Sequence, residues 1–141
     1  MKKLLLSVTA ALIAMSCQGP VGPAGEGMNW FIRDYTVSSS SWQQGDVMYY
    51  FEQNIPQLDQ FVYDDGSTTV YMYAQATGDP GSNIQTPLPC AVYYAQDDYL
   101  WTMNVTYDYS PGLITFCVIP SDFIVNSDLP PTMKFRVVLQ W

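Results

Sequence analysis

Residues 28–141 read as an all-β domain, an antiparallel two-sheet β-sandwich of immunoglobulin-like or jelly-roll layout, with a closed or partly open barrel as the alternative. Three observations predict it. Two runs alternate apolar and polar residues with a period of two, and aromatic and β-branched residues recur in short blocks between turn residues. No segment sustains a helical period. Breaks at roughly 8–12-residue spacing imply seven to nine strands, as a two-sheet sandwich requires.

The clearest strand is Tyr99-Leu-Trp-Thr-Met-Asn-Val-Thr-Tyr-Asp-Tyr109, in which the odd positions are aromatic or aliphatic and Thr102, Asn104, Thr106 and Asp108 take even ones. In Met133-Lys-Phe-Arg-Val-Val-Leu-Gln-Trp141 the odd positions again form one apolar face, against Lys134, Arg136 and Gln140. Such patterns make half-buried antiparallel strands. Weaker runs predict strands over Trp30 to Val37, Val47 to Ile55, Thr68 to Ala76, Ala91 to Gln96 and Leu113 to Ile119. Phe61 to Tyr63 and Phe123 to Val125 read as short ones. Between them, Asp64-Asp65-Gly66-Ser67 predicts a tight hairpin, Asp79-Pro80-Gly81-Ser82-Asn83 a Pro-Gly turn, and Ser110-Pro111-Gly112 a second hairpin. Pro130-Pro131 stops the chain before its last strand. That strand is expected to be central or well paired, because Phe135, Val137, Leu139 and Trp141 on a solvated face would leave a large apolar patch.

The first 27 residues have a different character. Lys2 and Lys3 precede an apolar run from Leu4 to Met15, and small residues lead into Cys17. This is the order of a secretory signal peptide over residues 1–16, too short to span a bilayer as a helix. Residues 17–27 then form a Gly/Pro-rich tether. Gly19-Pro20-Val21 and Gly22-Pro23-Ala24 are two collagen-type triplets, and Gly25-Glu26-Gly27 breaks the period. A collagen triple helix needs glycine at every third place over many repeats, so two triplets give only an extended spacer.

Beyond Cys17 there are thirteen acidic residues against Arg33, Lys134 and Arg136, a net charge of −10. Three scattered cations cannot form a phosphate-neutralising track, which excludes nucleic acid as a partner. The same acidity disfavours contact between the domain and anionic lipid, leaving the tether as the membrane attachment.

With no histidine in the chain, Ser-His-Asp and Cys-His catalysis and imidazole metal ligation are all excluded. The densest carboxylates are Asp64-Asp65, Asp97-Asp98 and Asp108, and each lies at an expected turn or strand end, where aspartate bonds to local backbone. No catalytic residue, metal site or cofactor is therefore expected. Of the three cysteines, Cys90 and Cys117 form a candidate disulfide if Cys17 is lipidated, with two buried free thiols as the alternative.

Aromatic residues are in excess, with eleven Tyr, four Trp and six Phe. In Tyr49-Tyr50, Tyr93-Tyr94 and Tyr71-Met72-Tyr73, adjacent residues point to opposite faces of a strand, so some rings must lie outside the core. Tyr50, Tyr71, Tyr73 and Tyr93 are the candidate ligand contacts, suited to a glycan or to an envelope protein. Partial exposure of good strand formers is the structural alternative.

Cys17, the short Gly-Pro-x segment, "NWFIRDYTV", "YDYSPGLITFCVIPSDF" and "PPTMKFRVVLQW" together resemble small Gram-negative cell-envelope lipoproteins. Those proteins carry a short collagen-like stub and a β-rich domain of unknown function. The resemblance implies a diacylglyceryl thioether on Cys17 and acylation of its new amino terminus. Gln18 in place of aspartate after that cysteine implies the outer membrane. Ala14 stands where leucine is commonest in this motif. The expectation is a lipid-anchored, non-enzymatic binding or structural module of the envelope. Glycan binding and protein assembly are the more specific alternatives.

Overall fold

The computed structural model describes residues 27–76, 79–96, 99–125 and 128–141, so the expected signal peptide, most of the tether with Cys17, and Asp97-Asp98 lie outside the described residues. Among the described residues, nine strands form two antiparallel sheets. The strands are β1 Trp30–Val37, β2 Gln43–Gln44, β3 Tyr49–Asn54, β4 Ser67–Ala76 and β5 Asp79–Pro87. They continue with β6 Cys90–Gln96, β7 Tyr99–Ser110, β8 Leu113–Pro120 and β9 Met133–Gln140. A short helix, α1 Gln60–Asp65, precedes β4. One sheet has the order β1-β9-β4-β5 and the other β2-β3-β8-β7-β6. The predicted two-sheet sandwich is therefore the fold, and β9 sits centrally between β1 and β4 as its apolar face requires.

The two-residue period does what it predicts. Met133, Phe135, Val137 and Leu139 are all buried, and Val105, Ile114, Phe116 and Val118 face them with no exposure. Each such side chain contributes about 1.5–3 kcal/mol on leaving water. The sheets meet where Phe116 stacks on Phe135, with ring centroids 4.3 Å apart and planes 10° from parallel. Trp42 closes on Phe135 edge-on at 6.4 Å, and its indole Nε1–H donates to the Pro131 carbonyl at 3.2 Å. Burying Trp42 therefore leaves no polar group unmatched.

Four local expectations are corrected. Phe61 to Tyr63 is not a strand but the middle of α1. Asp59 accepts from the Val62 amide at 2.9 Å as N-cap, and the Gly66 amide closes the last turn on the Val62 carbonyl. Six residues capped at both ends thus outcompete aromatic β-propensity. This also replaces the expected hairpin at Asp64-Asp65-Gly66-Ser67. Phe123 to Val125 is irregular, because Phe123 adopts a φ of 58°, which no strand continues, and the Asp122 carboxylate accepts from the Ile124 amide. Asp79 to Asn83 is not a turn but the start of β5, which pairs with β4 out to Ala76↔Asp79. Ser110-Pro111-Gly112 does join β7 to β8, and Gly112, at a φ of 82°, occupies the left-handed region that favours glycine.

The candidate disulfide does not form: Cys90 and Cys117 are both free. The register explains why. Cys90 pairs with Val105 and Val105 with Val118, while Cys117 pairs with Thr106, one residue out of step. The thiols therefore sit on opposite faces of the sheet, two strands apart, at about 9–10 Å between backbones. A disulfide needs Cα atoms within about 7 Å. Burial raises both thiols, Cys117 to about 11, so neither is a ready thiolate at neutral pH. With Cys17 replaced by serine, the denatured protein should accordingly react with two equivalents of a thiol reagent, the folded protein should react slowly, and added reductant should leave the melting temperature unchanged.

The sandwich has two ends. At the first, Trp30 pairs with Gln140 and Gln140 with Ser67, and the chain enters from residue 27. The Tyr107 hydroxyl donates to the Thr68 carbonyl, placing the end of β7 and the β7–β8 hairpin here too. This is the proximal end. The distal end lies along the strands at Met133, Val92 and Trp101, roughly 25 Å away.

Candidate functional site

The four candidate tyrosines do not converge. Tyr50 is half-buried on the outer face of the five-stranded sheet, beside Cys117. Tyr93 lies on that same face, 81% exposed, but in β6 near the distal end, with β8 and β7 between its strand and that of Tyr50. Tyr71 and Tyr73 are half-buried on the outer face of the other sheet. Their partners Tyr49 and Met72 point inward and are buried. The alternation argument thus separates inward from outward rings within each strand, while the arrangement of strands decides which rings meet.

Around Tyr73 the outer face of the four-stranded sheet gathers two of the three cations that follow Cys17. β1 and β9 align Asp34 opposite Arg136 and Thr36 opposite Lys134, and β4 places Tyr71 opposite Arg136. Asp34 receives Arg136 Nε at 2.8 Å and Lys134 Nζ at 3.0 Å. The Tyr73 hydroxyl donates to the same carboxylate at 2.9 Å, and both cations lie over its ring, Lys134 at 4.5 Å and Arg136 at 5.3 Å from the centroid. The alternation in β9 already puts Lys134 and Arg136 on one face; that Asp34 of β1 and Tyr73 of β4 join them depends on strand register, which the sequence alone does not give.

The Arg136 hydrogen bond, ahead of those from Lys134 and Tyr73 and against partial desolvation, brings the Asp34 carboxyl from the usual 3.8 down to about 2. Between those values the unfolded chain takes up a proton that the folded chain does not, so stability rises with pH across this window. The cluster's contribution is complete above pH 3.8 and is lost as pH falls through 2. Its partners are exposed, which limits it to about 1 kcal/mol. Asp34→Asn should lower the melting temperature by a few degrees at neutral pH, and the gap from wild type should close by pH 2.

Among the described residues, three clefts open at the distal end. One of about 580 Å³ lies between strands of both sheets, with Met72, Val92, Tyr94 and Met133 as apolar wall and Asn83, Thr132 and Lys134 among its polar groups. A second, of about 210 Å³, is lined by Tyr93, Tyr94, Leu100, Trp101, Thr102 and Ser121. The third, of about 180 Å³, has Trp101, Asp122 and Asp128 in its wall. Tyr94 and Trp101 stack at 5.3 Å and 11° from parallel; both line the second cleft, Tyr94 also lines the first and Trp101 the third. The distal end therefore offers aromatic faces edged by amide, hydroxyl and carboxylate groups.

Among the described residues no three His, Cys, Asp or Glu side chains gather in a metal-binding arrangement, and no helix is long and apolar enough to cross a membrane. The chain matches no protein-family model, no curated protein and no solved structure.

Proposed function

We propose that this protein is a lipid-anchored, non-enzymatic binding module of the cell envelope, held through Cys17 and presenting its distal end to a ligand. The observation that carries the reading is polar placement: the chain enters the domain beside Trp30, and the clefts around Tyr94 and Trp101 open at the other end. A tether on one end and a concave aromatic surface on the opposite one is the layout of a receptor module on a surface. The lipidation motif of the sequence, with its implied outer-membrane destination, supplies the anchor.

A glycan ligand is favoured by the exposed Tyr93 ring and the Tyr94–Trp101 pair with Thr102 and Ser121 beside them. Aromatic faces meet sugar C–H groups while hydroxyl groups pair with their edges.

Metabolic labelling with a fatty-acid analogue tests the anchor. Wild-type protein should label and stay with the membrane fraction, and Cys17→Ala should do neither. A Cys17→Ala protein that still labels and sediments with membranes refutes it. For the ligand, Tyr93→Ala should weaken binding to envelope polysaccharide about tenfold, equivalent to ~1.4 kcal/mol. If crosslinking through the distal end instead captures a defined envelope protein and polysaccharide does not bind, assembly replaces glycan recognition.

A further inference from the structure

The proximal end carries a set of exposed apolar groups that neither the core nor the distal clefts use. Met28 and Trp30 stand where the chain enters, Phe61 and Tyr63 project from α1, and Tyr109 lies near the end of β7. Trp30, Phe61 and Met28 are 55%, 58% and 61% exposed. They come from three separate stretches of chain brought to one end. Tyr63 meets Tyr109 at 5.6 Å, Ser67 directly after α1 pairs with Gln140, and Gln140 pairs with Trp30. An ordinary domain surface scatters such residues singly, whereas these share one end.

We propose that this end is a docking surface for the interfacial region of a lipid bilayer, composed of zwitterionic or uncharged headgroups. Three arguments select that occupant, and the proposal rests on the anchor reading given above. The first is chemical. Trp and Tyr have an apolar ring body and one polar group, and at a bilayer interface both parts are satisfied together. The second is electrostatic. Asp59, Asp64 and Asp65 flank Phe61 and Tyr63, and among the described residues every cation lies within β1 or β9, none in α1 or its flanks. Carboxylates beside the rings repel an anionic leaflet, so the matching surface carries no net charge.

The third argument is reach. Cys17 lies ten residues before Gly27 in sequence, which at full extension is at most about 35 Å. An anchored Cys17 always keeps this end within that distance of the headgroups, a bound that the distal end, some 25 Å farther along the strands, does not share. At such range the local concentration of lipid surface is high enough to occupy a contact too weak to form from free solution. A soluble partner would have to enter the same narrow space. The consequence is orientation: with the proximal end down, the distal clefts point away from the bilayer.

The test holds the mature chain, from residue 17 onward, by an N-terminal hexahistidine tag on phosphatidylcholine vesicles that contain nickel-chelating lipid. Their acyl chains are brominated close to the headgroup. Bromine quenches tryptophan only at contact, so the fluorescence reports which tryptophan touches lipid. Wild-type protein should be quenched relative to unbrominated vesicles. Trp30→Phe should lose the greater part of that quenching, and Trp101→Phe should retain it. Phe61→Ser, at an exposed position, should reduce the Trp30 quenching about twofold without altering the melting temperature. Substituting phosphatidylglycerol for part of the phosphatidylcholine should weaken quenching, and added salt should restore it. Absence of bromine quenching, or equal quenching in Trp30→Phe, overturns the proposal. So does concentration-dependent shielding of Trp30 without lipid, which would assign the surface to a second copy of the chain. Because the tag replaces the acyl chains, failure of docking is separate from failure of the anchor, which is read from the intact mass of protein purified from membranes.

Discussion

Replacing Phe135 by alanine should lower the stability of the domain by about 3–5 kcal/mol. Phe135 is fully buried in the central strand β9, stacked on Phe116 of the opposite sheet at 4.3 Å and capped edge-on by Trp42. Truncation removes the transfer energy of the ring and leaves a cavity between two sheets whose backbones are fixed by hydrogen bonds on both sides of β9. The neighbours Val70, Val137 and Val118 are short and β-branched, with little freedom to swing into the gap. Domains of this size hold about 5–15 kcal/mol in total, so the loss approaches half of it. The melting temperature should fall by roughly 15–20 °C, read by calorimetry or circular dichroism. Phe135→Leu, which keeps most of the volume, should cost less than about 1.5 kcal/mol. A Phe135→Ala protein melting within a few degrees of wild type would show that the inter-sheet stack is not central to the core.

The second large effect is expected at Gly66, from backbone contact and not from lost burial. A Cβ added there would lie 2.5 Å from the Val62 carbonyl oxygen and 2.8 Å from that of Gln140. Both are backbone atoms, and the Val62 carbonyl also accepts the Gly66 amide at the end of α1. Relief therefore means moving α1 away from β9 or giving up its closing hydrogen bond. Gly66→Ala should cost about 2–3 kcal/mol, in the range of overpacked cores, where glycine-to-alanine at a permissive turn would stabilise. Urea unfolding measures it directly, and a neutral or stabilising result would place α1 further from β9 than described.

How much of this was legible in the sequence depended on whether a signal was local. The β7 and β9 faces were readable residue by residue because one buried side imposes a period of two, and β9 came out central because its apolar content permits nothing else. α1 was missed although its caps, Asp59 and Gly66, stood at the right spacing; six residues are too few to show a helical period. β5 was missed because its sequence, Asp-Pro-Gly-Ser-Asn-Ile-Gln-Thr-Pro, lacks the apolar alternation of a central strand, and as an edge it needs only one partner. The Asp34, Lys134, Arg136 and Tyr73 cluster and the free thiols depended on register between strands far apart in sequence, which no local pattern encodes. Alternation shows that adjacent tyrosines take opposite faces of a strand, but the strand order that keeps the four candidates apart is not encoded locally.

The pairing of β1 with β9 has a consequence for how the chain matures. A polypeptide made and threaded N-terminus first carries Trp30–Val37 with no partner until residues 133–140 have emerged. Those residues also form the divider between β1 and β4, so the four-stranded sheet acquires its middle last. Hairpins such as β7–β8 form early, while the longest loop closes only at the end. During any passage through a tunnel or channel the domain thus remains unlocked and pliable. A chain stopped before β9 leaves β1 and β4 as open edges, marked for aggregation or proteolysis in place of assembly. Folding of the four-stranded sheet therefore waits on β9.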